Sequence, residues 1–245
     1  EHSLSVSFTC MSLAMRYGYD MNKAELAGLM HDCGKRFSDE VILKKCLKHG
    51  IPVTESENKA LAVLHAKYGA WLAENKYQIR DEEILSAIAC HTTGKPDMTT
   101  LDKILYIADY IEPRRYKAEN LPEMRAMAYV DLDQTMYAIL DSTLEYLTKK
   151  GGSIDPMTRE AHIYFKQRLE SKGEMAKLAY AALSEKKGGD IKIIDIHEVS
   201  VMADYFIIAD GSNLNQVQAM ADNVEEKMAE AGYQVRQTEG YQSAN

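Results

Sequence analysis

The chain has 245 residues, enough for one large domain or two. Its 46% hydrophobic and 27% charged residues are ordinary for a globular protein with a buried core. A formal net charge of -8, from 37 acidic and 29 basic side chains, argues against broad charge-driven DNA or nucleic-acid binding and gives no sign of an anionic-membrane binder. The cysteines at 10, 33, 46 and 90 have neither C-x-x-C spacing nor the density of a disulfide scaffold, which predicts a reduced, cytoplasmic chain. No apolar run approaches the roughly 18 residues that a bilayer span requires. The chain opens at Glu1 rather than Met, with a histidine already at position 2, so further residues are expected upstream.

The first two-thirds reads as helix after helix. Leu4, Phe8, Met11 and Met15 recur at helical spacing up to the Gly18-Tyr19-Asp20 turn. A second helix is expected over about 22–31, and a third from a Ser38 cap to Gly50. Thr54-Glu55-Ser56-Glu57 is a capping-box pattern that predicts one long helix carrying Leu61, Leu64, Trp71 and Leu72. Asp81 starts another, with Ile84, Leu85 and Ile88 on one face. Thr99 and Asp102 open the next, which Pro113 stops, and further helices are expected over 121–128, 131–149 and 156–169. Near Glu170-Ser171-Lys172-Gly173 the pattern becomes a short polar connection. Beyond it come a helix over 174–186, strands at 190–196 and 205–209, a helix over 214–231, and a third strand at 234–238. The expectation is a mainly α protein in two domains: a helical bundle over 1–170 and a smaller mixed α/β domain over 171–245, incomplete at its C-terminal end.

Six of the seven histidines fall in the first domain. His31 and Asp32 end the apolar run Leu26-Ala27-Gly28-Leu29-Met30, a costly place for an imidazole and a carboxylate unless something binds them. A divalent metal removes that cost. His65 follows Leu61 and Leu64, His91 lies toward the apolar side of its helix, and Asp109 interrupts Ile104-Leu105-Tyr106-Ile107-Ala108. A single histidine on an apolar face is usually a satisfied core residue, and the spacing alone leaves both readings open. His49 reads as a helix-terminal residue, and His162 and His197 have no ligand-like context.

The order His2, His31-Asp32, His65, His91, Asp109 resembles the HD-domain phosphohydrolases. Leu29-Met30-His31-Asp32-Cys33-Gly34-Lys35 resembles the central motif of that family. His91-Thr92-Thr93-Gly94-Lys95-Pro96 and the stretch from Lys103 to Arg114 resemble its YqeK branch, symmetrical hydrolases of diadenosine tetraphosphate. In that family an arginine usually precedes the first metal histidine by a few residues, and this chain starts too late to show it. The resemblance implies that His2, His31, Asp32 and Asp109 hold one metal and His65 and His91 a second, with Asp32 bridging. Iron is the implied metal, with manganese or zinc as alternatives, either divalent or of mixed valence. Asp32 and Lys35 would act in catalysis, and Thr92, Thr93, Gly94 and Arg114 would meet the phosphates of a dinucleoside polyphosphate. A homodimer is compatible with this reading. The same site acting on another nucleotide, or serving a ribosome-bound regulator as a sensor, are the alternatives.

In the second domain, Ala203-Asp204-Tyr205-Phe206-Ile207-Ile208-Ala209-Asp210-Gly211-Ser212, then Gln216 to Glu226 and Glu239-Gly240-Tyr241, resemble the ribosomal silencing factors. That resemblance implies docking on the large ribosomal subunit. The family's last strands would follow Tyr241, and without them the sheet is expected to leave an open edge and an exposed core face. Asp195, His197 and Glu198 are read as the polar end of a strand rather than as a metal site. Gly211-Ser212, without a wider glycine fingerprint, is a weak phosphate-binding signal.

Overall fold

The structure, a computed structural model, describes residues 1–196 and 203–242. The chain divides into two compact units, Glu1–Lys166 and Gln167–Asn245. Helices α1 (His2–Arg16), α2 (Met21–Met30), α3 (Asp39–Lys48), α4 (Glu55–Lys59), α5 (Leu64–Asn75), α6 (Glu82–Cys90), α7 (Thr100–Ile111), α8 (Leu121–Met127) and α9 (Leu132–Lys150) build the first unit. Helix α10 (Pro156–Glu185) follows, then β1 (Gly189–Asp195), β2 (Tyr205–Asp210) and α11 (Leu214–Glu230). The protein is thus mostly helical, with a small sheet near its C-terminus, in line with the mainly α reading.

Local chemistry sets most helix ends. Asp20, Asp81 and Asp131 each accept two backbone N–H groups in the first turn of α2, α6 and α9. Thr54 and Thr99 close capping boxes with Glu57 and Asp102. The centre of the first unit is α7, whose Leu101, Ile104, Leu105 and Ile107 are fully buried among Leu13, Ile88, Met136, Ile139, Leu140 and Phe165. A smaller core of Ile42, Cys46, Leu64, Tyr68 and Leu72 joins α3 to α5.

Four expectations are corrected. The face of α1 that turns inward is Val6, Ser7, Cys10, Leu13 and Ala14, while Leu4, Phe8 and Met15 are exposed. The reason is the tight crossing with α2: a Cβ on Gly28 would lie 2.6 Å from the Ser7 Cα, so small residues must occupy the contact. The expected long helix from Thr54 is broken at Ala60, with φ -134°, and a single 3-10 turn precedes α5. That break lets Lys67 Nζ reach Glu57 Oε1 at 2.6 Å. Ten residues of straight helix would separate their backbones by about 15 Å.

The expected connection at 170–173 is helical, because α10 runs unbroken through it. A glycine inside a helix costs only about 1 kcal/mol, and the buried Ala176, Ala179 and Ala182 give the helix a packed face. The expected third strand at 234–238 does not form, and the sheet among the described residues is β1 paired antiparallel with β2. Ile194 pairs with Phe206 and Lys192 with Ile208, and Ile194, Phe206 and Ile208 are all exposed. His197 and Glu198 lie outside the described residues.

Candidate metal centre

Five helix termini supply the site. His2 begins α1, His31 and Asp32 follow α2, His65 is the second residue of α5, His91 caps α6, and Asp109 sits in the last turn of α7. Three of the histidines use one local device. The Nδ1 of His31 bonds the Gly28 carbonyl at 2.7 Å, that of His65 the Ala62 carbonyl at 2.5 Å, and that of His91 the Ile88 carbonyl at 2.7 Å. A carbonyl only accepts, so each Nδ1 carries the proton and each Nε2 presents a lone pair to the centre. Backbone carbonyls in this position both orient the ring and raise its basicity toward a metal.

The Nε2 atoms converge on carboxylates. Asp32 Oδ1 lies 3.2 Å from His65 Nε2 and 3.6 Å from His91 Nε2. Its other oxygen, Oδ2, lies 3.5 Å from His31 Nε2 and 3.8 Å from His2 Nε2. Asp109 Oδ1 is 3.1 Å from His2 Nε2 and 3.9 Å from His31 Nε2. Asp32 therefore faces one histidine pair with each oxygen.

These residues fit a cation. The Nε2 atoms of His65 and His91 stand 3.2 Å apart, two lone pairs facing each other with a carboxylate oxygen alongside. The His31 Nε2 is buried and has no hydrogen-bond partner. Such an arrangement is unfavourable without positive charge between the acceptors. Two overlapping sets among the described residues, His2/His31/Asp109 and His31/Asp32/His91, are compact enough to hold an ion. The donors are imidazole and carboxylate, which suit a divalent transition metal.

The electrostatics point the same way. Burial opposes ionisation of Asp32, but the close approach of the His31, His65 and His91 imidazoles outweighs it and holds the carboxyl well below the usual range. Asp109 is likewise held low against its burial, by His2 and the Arg115 charge. Burial pushes the His91 imidazole down, which keeps it neutral, the form a metal needs. His2 is pushed up, chiefly by its bond to Asp109.

Around this cluster, Lys35 Nζ donates to both oxygens of Asp32, at 3.1 and 3.2 Å. Arg114 instead reaches Glu1 at 2.7 Å. Thr92, Thr93 and Gly94 form the stop of α6: Gly94 adopts φ 68° and its N–H donates to the Cys90 carbonyl, while the Thr93 hydroxyl bonds the Gly94 carbonyl. Two residues were missed by sequence reasoning. Arg115 contacts Asp109 Oδ1 at 3.0 Å, and Glu112, nearly buried, faces His2 Nδ1 at 3.6 Å while accepting from Ser5 Oγ at 2.6 Å. The signal was present in Pro113, which ends α7 and folds the chain back over its last turn. His49 caps α3 and stacks on Trp71, and His162 bonds Asp141, so both are structural.

A helical fold whose helix ends gather histidines and aspartates around a central His-Asp pair defines the class of HD-domain metal-dependent hydrolases. Residues 1–114 match the HD domain model, and residues 169–245 match that of the ribosomal silencing factor during starvation. A solved HD superfamily hydrolase from Clostridium acetobutylicum, described as involved in NAD metabolism, is similar with a TM-score of 0.67 and 40% identity over 68% of this chain and 88% of its own. The symmetrical bis(5'-nucleosyl)-tetraphosphatase of Bacillus subtilis is 36% identical over 157 residues, which is 64% of this chain and 83% of the relative. The chain belongs to that family of HD-domain hydrolases. In the second unit, the ribosomal silencing factor RsfS of Bacillus subtilis is 40% identical over 68 residues, 28% of this chain and 58% of that protein's length. No helix among the described residues is long and apolar enough to cross a membrane.

Proposed function

We propose that this protein cleaves diadenosine tetraphosphate symmetrically into two ADP at a dinuclear centre, and that residues 171–245 dock on the large ribosomal subunit. The observation that carries the first part is the division of Asp32, one oxygen toward His65 and His91 and the other toward His31 and His2. In this reading His2, His31, Asp32 and Asp109 hold one ion, and Asp32, His65 and His91 hold the second. Iron is the resident metal proposed, with manganese or zinc able to replace it; a bound pair supplies water activation and charge neutralisation at phosphorus.

The chain's own residues do the rest. The surrounding imidazoles hold the partly buried Asp32 carboxyl well below the usual carboxylate range, so it is ionised near neutral pH. Lys35 is exposed on one side of that carboxylate and turns toward charge that builds on the phosphoryl oxygens. In this reading Arg114 would grip a distal phosphate, and the Thr92-Thr93-Gly94 turn offers hydroxyls beside His91. Domain 1–170 then carries the chemistry and 171–245 the ribosome contact, in one cytoplasmic protein. Support for the substrate comes from the name and 36% identity of the Bacillus relative, and for the partner from the silencing-factor match.

The deciding experiment is product analysis of iron- or manganese-loaded protein with diadenosine tetraphosphate. ADP as sole product supports the reading. AMP plus ATP would keep the hydrolase and remove symmetrical cleavage. No turnover in fully loaded protein would move the assignment to another nucleotide or to a sensor.

A further inference from the structure

The metal centre is not closed on all sides. A cleft of about 890 Å³ begins at His2 and runs between the 112–120 segment and the second half of α9. That volume lies within the roughly 300–1,000 Å³ of small-molecule sites. Its walls are pinned. Arg125 donates to the carbonyls of Ile111, Glu112 and Arg115, which fixes the segment beyond α7. The Tyr110 hydroxyl donates to Asn120 Oδ1, and Asn120 Nδ2 donates to Ser142 Oγ, which ties the segment to α9.

The lining is uneven in a way that matches one ligand chemistry. At the His2 end stand Arg114 and Arg115; farther along stand Tyr116, Lys117, Tyr146 and Lys149. Tyr116 is 81% exposed and Tyr146 is 54% exposed, and both line the cleft. Lys150 sits 4.6 Å from the centroid of the Tyr146 ring. Of the carboxylates in the lining, Glu112 is engaged by Ser5 and the Arg114 N–H, and Glu145 by Lys149. Glu119 is the third; of the four lining cations, Arg114 pairs with Glu1, Arg115 with Asp109 and Lys149 with Glu145, and Lys117 completes the set. Cations beside the metal ligands with exposed aromatic rings beyond them suit a molecule that is polyanionic at one end and a flat heterocycle at the other.

We propose that this cleft seats one nucleoside diphosphate half of the substrate, phosphates toward His2 and Arg114, base stacked against Tyr116 and Tyr146. The inference rests on the nucleotide-hydrolase reading above and adds where the base is held. Stacking of a base on an aromatic ring contributes about 1–3 kcal/mol, so loss of both rings corresponds to at least about a tenfold loss of affinity.

The test uses full-length, metal-loaded protein titrated calorimetrically with ADP and, separately, with pyrophosphate, which has no base. The double variant Y116A/Y146A is expected to bind ADP about tenfold or more weakly, with pyrophosphate affinity unchanged. The Y116F/Y146F variant is expected to restore ADP binding, because stacking needs the ring and not the hydroxyl. Unchanged ADP affinity in the alanine variant overturns the proposal, as does an equal loss of pyrophosphate affinity. The two readings fail separately: ring-dependent ADP binding without tetraphosphate cleavage removes the reaction and leaves the seat. Symmetrical cleavage with ring-independent ADP binding removes the seat and leaves the reaction.

Discussion

Asp32 and Glu57 are both carboxylates held in ionised form, for different ends. Asp32 stands among three histidine nitrogens that all present lone pairs, so its role is to complete a cation site rather than a salt bridge. Asp32→Ala is expected to reduce hydrolysis to less than about a hundredth, because even residues behind the ligands are worth 10- to 100-fold in such centres. Metal content measured on the same sample should fall with it; full metal and full activity would remove Asp32 from the site. Arg115→Ala is expected to cost about 10- to 100-fold in activity or metal affinity, since Arg115 holds Asp109. Glu57 is different: burial opposes its charge, but Lys67 and the Thr54 cap hold its pKa below the ordinary value. A lowered carboxylate pKa contributes stability above the unfolded value of about 4.3, and that contribution is lost as pH falls through the folded value. Thermal melts of Glu57→Gln should therefore lie below wild type at pH 7, by about 2 kcal/mol. The two curves should draw together in acid below pH 4; a gap that persists there would exclude the ionic contribution.

At the level of elements, the site depends on close backbone approach. Gly34 lies just past the His31-Asp32 pair, where a Cβ would meet the His65 carbonyl oxygen at 2.5 Å and the Gly69 nitrogen at 3.1 Å. Both neighbours are backbone, so nothing flexible can give way. Gly34→Ala is expected to push α5 outward and with it His65, at a cost of about 1–3 kcal/mol. Metal occupancy should fall along with the melting temperature; a variant with wild-type metal content would show that α5 has room to yield. The break at Ala60 belongs to the same logic, since it lets α4 and α5 join through Glu57 and Lys67. The small-residue crossing of α1 and α2 brings the first turn of α1, and so His2, alongside the end of α2 with His31.

For the whole molecule, two compact units imply two unfolding events rather than one. A ligand that binds only native protein stabilises it by about 2.7 kcal/mol at a hundredfold excess over its Kd. The ions proposed here touch residues of Glu1–Lys166 alone, so removing them by chelation should lower one calorimetric transition by several degrees and leave the other in place. Iron or manganese should restore the lost transition and the activity together. A uniform shift of both transitions would mean that the units unfold as one. The exposed Ile194, Phe206 and Ile208 give the second unit an apolar sheet face of its own.

What could be read along the chain was whatever short-range chemistry encodes. The caps at Ser38, Thr54, Asp81 and Thr99, the stop at Pro113, and the strands at 190 and 205 all depend on neighbours a few residues apart. The six-member histidine and aspartate series stood out because an imidazole or carboxylate is conspicuous on an apolar helix, and because family motifs span it. Tertiary structure alone decided the rest. Which face of α1 is buried was set by the close crossing at Gly28, which admits small side chains, and not by which residues are the most apolar. Whether Arg114 or Arg115 meets Asp109 was set by how the chain folds back after Pro113. The partition of Asp32 between two histidine pairs needed five helix ends in one place. Periodicity reports what a segment would bury; only packing fixes what is there to bury it against.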